Sequence, residues 1–243
     1  MAKTRSCAGD LTMAKADPHP TVERMTLLQR IDHALLALCV LLLVASGLAL
    51  AYHDHAWAQA LIGLMGGLGG RHWLHRAAAV GLVGAGFLHV GGLVFSKRYK
   101  RDLRDLLFAG SDLAEAARGW RYNWTGKGEP PKFGRFTPWQ KFQYWGILTG
   151  CLVMVLSGMV LWSPQASLTL FPKAFIDLML VLHSREAQLI FIVLILWHVY
   201  DVHVAAGNFP MNPAWLTGRM RADVYRRQHL GEVEAREKEG KTP

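Results

Sequence analysis

Residues 183–200, HSREAQLIFIVLILWHVY, place a short polar segment, SREAQ, and then the apolar run LIFIVLILW between His183 and His198. The run belongs to a longer apolar block, residues 175–206. About 20 apolar residues are enough for a helix to cross a bilayer. A histidine is costly in that setting and usually marks a function. The stretch therefore predicts a transmembrane helix that carries one imidazole near each membrane surface, and the rest of the chain follows the same plan.

The apolar residues of the chain, 51% of the total, are concentrated in four long blocks with few charges inside them. Backbone polar groups must be satisfied internally in lipid, so such blocks cross as helices. We predict an all-α, four-helix transmembrane bundle spanning residues 25–220. A flexible cytoplasmic segment (1–24) precedes it, and a charged cytoplasmic tail (221–243) follows it. The four predicted spans are about 31–52, 72–95, 142–162 and 175–206.

The basic residues, which give a net charge of +9, lie mainly in three segments that flank the apolar blocks. These are the N-terminal segment, the long middle loop and the tail. Lysine and arginine are enriched in cytoplasmic loops, so the pattern places both termini and the middle loop in the cytoplasm. The same distribution argues for membrane lipid rather than nucleic acid as the partner of the basic charge.

Five histidines lie in or at the ends of the predicted spans: His33, His75, His89, His183 and His198. His75 and His89 are 14 residues apart, and His183 and His198 are 15 apart. Each of these pairs spans roughly 21–22 Å on one side of its helix. Neutral imidazole is a strong axial ligand of haem iron. By depth, His75 pairs with His183 near the outer surface, and His198 pairs near the inner surface with either His33 or His89.

The cysteines exclude other iron and zinc centres. Cys7, Cys39 and Cys151 are far apart and form neither a CxxC nor a CxxCH motif. We therefore expect no zinc or iron–sulfur site and no covalently attached c-type haem. Two b-type haems held by histidine pairs are the expected cofactors.

Two other functions fit a membrane protein rich in histidine. One is a histidine-based metal or proton transporter, and the other is a cofactor-free membrane anchor. Arg30 and Arg76 lie near the proposed ligands and are candidate partners of haem propionates, although interface snorkelling also accounts for them. A faint internal repeat places Ser46-Gly47 and Ser157-Gly158 at corresponding positions of two helix pairs.

Four motifs at the span boundaries carry a family resemblance. They are Arg30-Ile-Asp-His33, RHWLH at residues 71–75, FGRFTPWQKFQYW at 133–145, and the ends of the fourth span, HSREA and WHVY. With them, the chain resembles the di-haem cytochrome b subunits of membrane formate dehydrogenase (the gamma subunit), nickel–iron hydrogenase and related quinone-linked reductases. The resemblance implies a bacterial inner-membrane protein that passes electrons between a partner redox subunit and the quinone pool.

The same resemblance assigns ligands and substrate. It implies that His33 and His198 hold the inner haem, and His75 and His183 the outer one. Menaquinone or ubiquinone would react near the inner haem, where Gln140 and Lys141 are the implied contacts. On depth alone, and not from the resemblance, Asp32, Asp201 and His203 are nearby candidates for proton exchange.

His89 and the partner stay open at this stage. The extra histidine resembles a sub-branch often found with multihaem c-type cytochromes, so His89 remains an alternative inner ligand. The partner would be such a cytochrome, or a catalytic or iron–sulfur subunit of the formate dehydrogenase or hydrogenase type. The chain itself would be the quinone-reactive, electron-transfer subunit of that oxidoreductase complex, without an active site for the partner's substrate.

Overall fold

The computed structural model describes residues 20–129, 131–205 and 208–240. The expectation of a flexible segment therefore falls mostly on residues 1–19, outside the described part. In chain order the helices are α1 Leu27–Ala51, α2 Ala56–Leu64, α3 Gly67–Phe95, α4 Lys97–Leu106, α5 Gly110–Thr125, α6 Pro138–Leu161, α7 Pro164–Leu170, α8 Lys173–Ile192, a π-helix Val193–Val204, α9 Ala214–Thr217, α10 Ala222–Gln228 and α11 Leu230–Lys238; two strands are β1 Thr21–Glu23 and β2 Arg219–Arg221.

Four of these helices are long and apolar enough to cross a membrane: Leu27–Ala51, Gly67–Phe95, Pro138–Leu161 and Lys173–Val204. All four of the predicted spans are thus helical, and each helix begins a few residues earlier than expected from hydropathy. Large apolar side chains such as Leu41, Phe87 and Leu196 remain exposed on their outer faces. That exposure fits lipid as the surrounding solvent, because lipid does not drive such side chains inward.

The first and third spans begin with the same local device. Thr26 and Thr137 are N-caps, and each forms a capping box with a glutamine three residues later. A capping box satisfies backbone donors at the helix start that would otherwise be unpaired. The shared start explains why Gln29 and Gln140 stand at matching distances from Ser46-Gly47 and Ser157-Gly158.

The spans pack as two antiparallel pairs. Helix α1 packs along α3, and α6 packs along α8, while α1 also approaches α8. A side chain at Gly81 would bring its Cβ to 2.7 Å from Cys39 Sγ, and one at Gly150 would come within 2.8 Å of Glu186 Oε1. Glycine therefore permits the close approach within each pair. Helix α2 connects the two helices of the first pair and α7 those of the second, both at one end of the bundle, hereafter the loop end.

The opposite end, hereafter the capped end, is covered by a polar layer built from both ends of the described chain. Strand β1 pairs antiparallel with β2, with Val22 opposite Met220. These two residues pack with Val224, Tyr225 and Val233 of α10 and α11 as a small apolar core. Residues 20–24 and the described part of the tail therefore pack against each other, and together they cover the end of the bundle at which α1 begins.

A buried carboxylate fastens this layer to the spans. Asp102 of α4 accepts hydrogen bonds from Gln29 Nε2 at 2.7 Å, Arg135 Nε at 2.8 Å and Arg98 Nε at 3.2 Å. Asp102 and Arg135 are both buried. Because breaking a buried, hydrogen-bonded ion pair is strongly destabilising, this cluster fixes the middle loop relative to the start of α1.

Candidate functional site

At the loop end, His75 of α3 and His183 of α8 face each other across the two helix pairs. Their ring centres are 6.5 Å apart, at an interplanar angle of 64°. Two imidazoles on one metal, with bonds of about 2.0 Å and ring centres about 1.2 Å beyond each nitrogen, have ring centres about 6.4 Å apart. The observed separation is close to this value, so the pair is compatible with a single iron between the two rings.

A serine hydroxyl holds each of these rings by its Nδ1 atom. Ser46 Oγ lies 2.8 Å from His75 Nδ1 and 2.6 Å from the Leu42 carbonyl oxygen. A hydroxyl has one proton, and the carbonyl can only accept, so Ser46 donates to Leu42 and accepts from His75 Nδ1–H. This assignment leaves the Nε2 lone pair of His75 free to bind a metal.

The third and fourth spans repeat the arrangement. Ser157 Oγ lies 2.9 Å from His183 Nδ1 and 2.7 Å from the Val153 carbonyl oxygen. Both serines are essentially inaccessible, with 0% of Ser46 and 1% of Ser157 exposed. The sequence identified these serines only as part of a faint internal repeat, and their part in fixing the tautomer was missed. The matching Ser-Gly positions were the available signal.

The glycine after each serine makes space for the ring. A Cβ at Gly158 would approach His183 Cε1 to 3.2 Å, whereas one at Gly47 would stay 3.7 Å from His75 Cε1. The first distance is tighter than ordinary contact and the second is not. Each imidazole therefore lies against a bare stretch of the neighbouring helix, more tightly in the second pair.

At the capped end, His33 of α1 faces His198 of the π-helix. The ring centres are 6.2 Å apart, at an interplanar angle of 39°. This separation also fits two imidazoles on one iron. His198 Nδ1 is 3.3 Å from Gln143 Oε1, and His33 Nδ1 is buried without a partner among the described residues. These two rings are thus held less firmly than the serine-bonded pair.

His89 occupies a different position from the other four histidines. Its Nδ1 lies 2.7 Å from Asp32 Oδ2, and its Nε2 lies 3.0 Å from the Tyr144 hydroxyl. Tyr99 donates to the same Asp32 oxygen at 3.3 Å, and burial together with that carboxylate raises the pKa of the Tyr99 phenol. With both ring nitrogens bonded, the geometry favours His33 over His89 as the partner of His198.

Unpaired donors gather near the capped-end histidine pair. Among the described residues, five buried side-chain nitrogens of this region lack a hydrogen-bond partner: Arg30 Nε, His33 Nδ1, Gln143 Nε2, His203 Nδ1 and Trp215 Nε1. The rings of His203 and Trp215 are 6.4 Å apart. Buried polar groups in proteins are normally satisfied, so such a set of donors fits a ligand that brings acceptor oxygens, as haem propionates and quinone carbonyls do.

The remaining predicted contacts are already occupied by protein groups. Gln140 bonds back to the Thr137 backbone in its capping box. Lys141 Nζ lies 2.8 Å from Asp112 in a buried ion pair. Arg76 donates to the Trp162 carbonyl oxygen and stacks over the Trp162 ring. Of the predicted propionate and quinone contacts, Arg30 alone retains a buried, unpaired nitrogen.

The donor set suits haem better than a free metal ion. Within the described ranges, no group of three or more His, Cys, Asp or Glu side chains could hold a metal ion. Each candidate centre offers two facing imidazoles only. A metal ion would lack its remaining ligands there, whereas haem brings four ligands of its own and needs two from the protein.

Comparison with known proteins identifies the family that the chain resembles. The model of a family described as prokaryotic cytochrome b561 matches residues 24–206. The cytochrome b556(fdo) subunit of formate dehydrogenase from Escherichia coli K12 is 26% identical over 200 residues, covering 81% of this chain and 86% of its own length. The corresponding subunits of E. coli strains CFT073 and O157:H7 match equally well.

Proposed function

Because the chain belongs to the prokaryotic cytochrome b561 family, a family of membrane electron-transfer cytochromes that bind haem b, we propose that it holds two such haems and connects a partner redox subunit with the quinone pool. His75 and His183 would bind the loop-end haem, and His33 and His198 the capped-end haem. A bound haem supplies a one-electron iron centre, and the protein sets its ligands, surroundings and access.

The observation that carries the proposal is the pair of matched imidazole couples. Their ring centres are 6.5 Å and 6.2 Å apart, and they occupy opposite ends of the same bundle. A proton or metal relay would not require two histidine pairs at the separation of a shared iron. A cofactor-free anchor would not require histidines there at all, since buried imidazoles in lipid are costly.

We assign the capped end to the cytoplasm of a bacterial inner membrane. The middle loop and the tail, which form that end, carry most of the basic residues of the described chain. Such residues are retained on the cytoplasmic side. The loop-end couple would then lie near the outer surface, where a partner on that side could deliver or withdraw electrons.

Quinone is proposed to react at the capped end. The unpaired donors of His203 and Trp215 lie close to the capped-end couple, and Asp201 stands two residues from His203. N–H groups can bind quinone oxygens, and a nearby carboxyl can exchange protons with them. Gln140 and Lys141 would then act on this region indirectly, by fixing the start of α6 rather than by touching quinone.

The named relatives indicate the class of partner. They are cytochrome subunits of formate dehydrogenase, and the match covers most of both chains. A catalytic or iron–sulfur subunit of that type is therefore the first candidate. A multihaem c-type cytochrome is the second, since the sequence resembles that sub-branch at His89 and near its C-terminal end.

Quinol oxidation in proteoliposomes tests the link to quinone. A menaquinol or ubiquinol analogue should reduce the purified cytochrome at a rate that stopped-flow mixing resolves. His203→Phe should slow reduction at least tenfold while the haem content stays unchanged. His53→Phe, at an exposed histidine of the loop end, is the control and should reduce normally. Equal rates in all three proteins would remove the proposed quinone site.

A further inference from the structure

Helix α5, in the loop between the second and third spans, has an apolar face that no described residue covers. Leu113, Ala117, Trp120 and Trp124 fall within an arc of about 60° at 100° per residue. Leu113 is 82% exposed, Trp120 65% and Trp124 83%. A contiguous set of exposed apolar residues indicates a surface that binds an apolar partner.

The opposite side of α5 packs against the rest of the protein. Asp112 is buried and accepts from Lys141 Nζ and from the Ala109 backbone N–H. Gly119 lies against Phe133, whose ring atom Cζ would be 3.1 Å from a Cβ at that position. The Phe133 carbonyl oxygen accepts from the Glu232 N–H of α11, so these contacts turn the tryptophan face away from the polar layer.

The same contacts place the beginning of α5 at the membrane boundary. Lys141 also donates to the Leu107 carbonyl oxygen at 3.1 Å, and Trp145 Nε1 donates to the Leu106 carbonyl oxygen at 3.0 Å. Lys141 and Trp145 lie in the first turns of the third span, next to the exposed Phe142. The beginning of α5 therefore lies beside the lipid-facing surface of α6.

Positive charge borders the apolar face. Arg121 lies at its edge and Arg118 farther round the same side, and both are exposed. Neither guanidinium forms an ion pair within the described residues. An amphipathic helix with tryptophan on one face and arginine beside it matches the headgroup region of a bilayer, where anionic phosphates meet the acyl chains.

We propose that α5 is an in-plane membrane helix that binds anionic lipid. Leu113, Trp120 and Trp124 insert at the boundary between headgroups and acyl chains, and Arg118 and Arg121 contact lipid phosphates. Through Asp112 and Lys141, the lipid-bound helix fixes the start of the third span. A partner protein is the competing occupant, and the experiment distinguishes the two.

Site-specific fluorophores test whether the apolar face of α5 contacts lipid or water. Leu113→Cys and the matched Ser111→Cys, on the polar side of the same helix, are labelled with an environment-sensitive dye after the native cysteines are changed to alanine. In vesicles, bromine-labelled acyl chains should quench the dye at position 113 at least threefold more than at position 111. Aqueous iodide should show the reverse. Reduced-minus-oxidised spectra and monodispersity confirm that both variants are folded.

The lipid headgroup is tested with the same label. Brominated phosphatidylglycerol should quench position 113 at least twofold more than brominated phosphatidylcholine, and Arg118→Gln combined with Arg121→Gln should abolish the difference. Lys127→Gln is the control and should retain it. Equal iodide quenching at both positions would overturn the proposal, and so would shielding of position 113 that appears only when a partner subunit is added.

Discussion

Replacing Ser46 or Ser157 with alanine tests how the loop-end couple is held. Each serine accepts a hydrogen bond from the Nδ1–H of its histidine and donates its own O–H to a carbonyl oxygen one turn earlier, that of Leu42 or Val153. Alanine removes this acceptor and leaves a buried Nδ1–H without a partner. A bonded Nδ1–H makes imidazole a stronger electron donor to a metal, which favours the oxidised iron. The midpoint potential of the loop-end haem should therefore rise.

The magnitude follows from the energy of one hydrogen bond. Such a bond contributes about 0.5–1.5 kcal/mol, and only the part that differs between oxidised and reduced iron changes the potential. If about half differs, the change is roughly 0.5 kcal/mol. That corresponds to about 20 mV for one electron, since a tenfold change in equilibrium constant is 59 mV. The double variant should shift by about twice as much, because the serines bond different ligands.

Equilibrium redox titration of the visible α-band measures this shift. Ser184→Ala is the matched control, because Ser184 makes the same bond to a carbonyl one turn earlier, Leu180 at 2.7 Å, without contacting a histidine ring. It should leave both potentials unchanged, and Ser157→Thr should retain most of the wild-type value. If Ser46→Ala and Ser157→Ala keep full haem content and unshifted potentials, the serines hydrogen-bond to their own helix backbone without influencing the haem.

Three further outcomes follow from the geometry. Gly158→Ala should displace the His183 ring and lower loop-end haem content at least twofold, whereas Gly47→Ala, with 3.7 Å of clearance, should retain it; equal haem content in the two variants would contradict the packing argument. His89→Gln should keep two haems per chain because both ring nitrogens are bonded to protein groups, and the loss of one haem on pyridine haemochrome analysis would identify His89 as a ligand. Burial and neighbouring Arg24 lower the pKa of His229 from its usual 6.5 to about 4, so His229 stays neutral in the folded layer at a pH where it is protonated in the unfolded tail. The layer should therefore be fully stable above about pH 6.5 and lose up to about 3 kcal/mol as the pH falls towards 4. Amide protection factors in α11, corrected for the intrinsic exchange rate, should be lower at pH 5 than at pH 7.5, and the difference should be smaller in His229→Gln.

The spans and the histidine couples could be predicted because both depend on local pattern. Apolar length alone defines a membrane helix, and the spacing of His183 and His198 places two imidazoles on one side of it. The choice between His33 and His89 was different. Both lie at the same depth, and only the three-dimensional position of Asp32 and Tyr144 shows that the nitrogens of His89 are already bonded.

The roles of Ser46, Gln140 and Lys141 were harder to predict because they depend on long-range contacts. A serine in an apolar helix usually bonds its own backbone, and nothing in the sequence shows that His75 lies within reach of its oxygen. Lys141 precedes a span at a depth that suits a ligand contact, but its partner, Asp112, lies in a separate helix of the middle loop. The tail was predicted only as charged, because its packing on β1 depends on residues almost 200 positions apart.

Haem stoichiometry in ligand variants tests the central claim most directly. The purified wild-type protein should contain two b-type haems per chain by pyridine haemochrome analysis. His75→Ala and His183→Ala should each contain one, with the same haem lost in both. His33→Ala and His198→Ala should each lose the other. A wild-type protein without a b-type spectrum, or a loop-end variant that still contains two haems, would contradict the pairing on which the account is built.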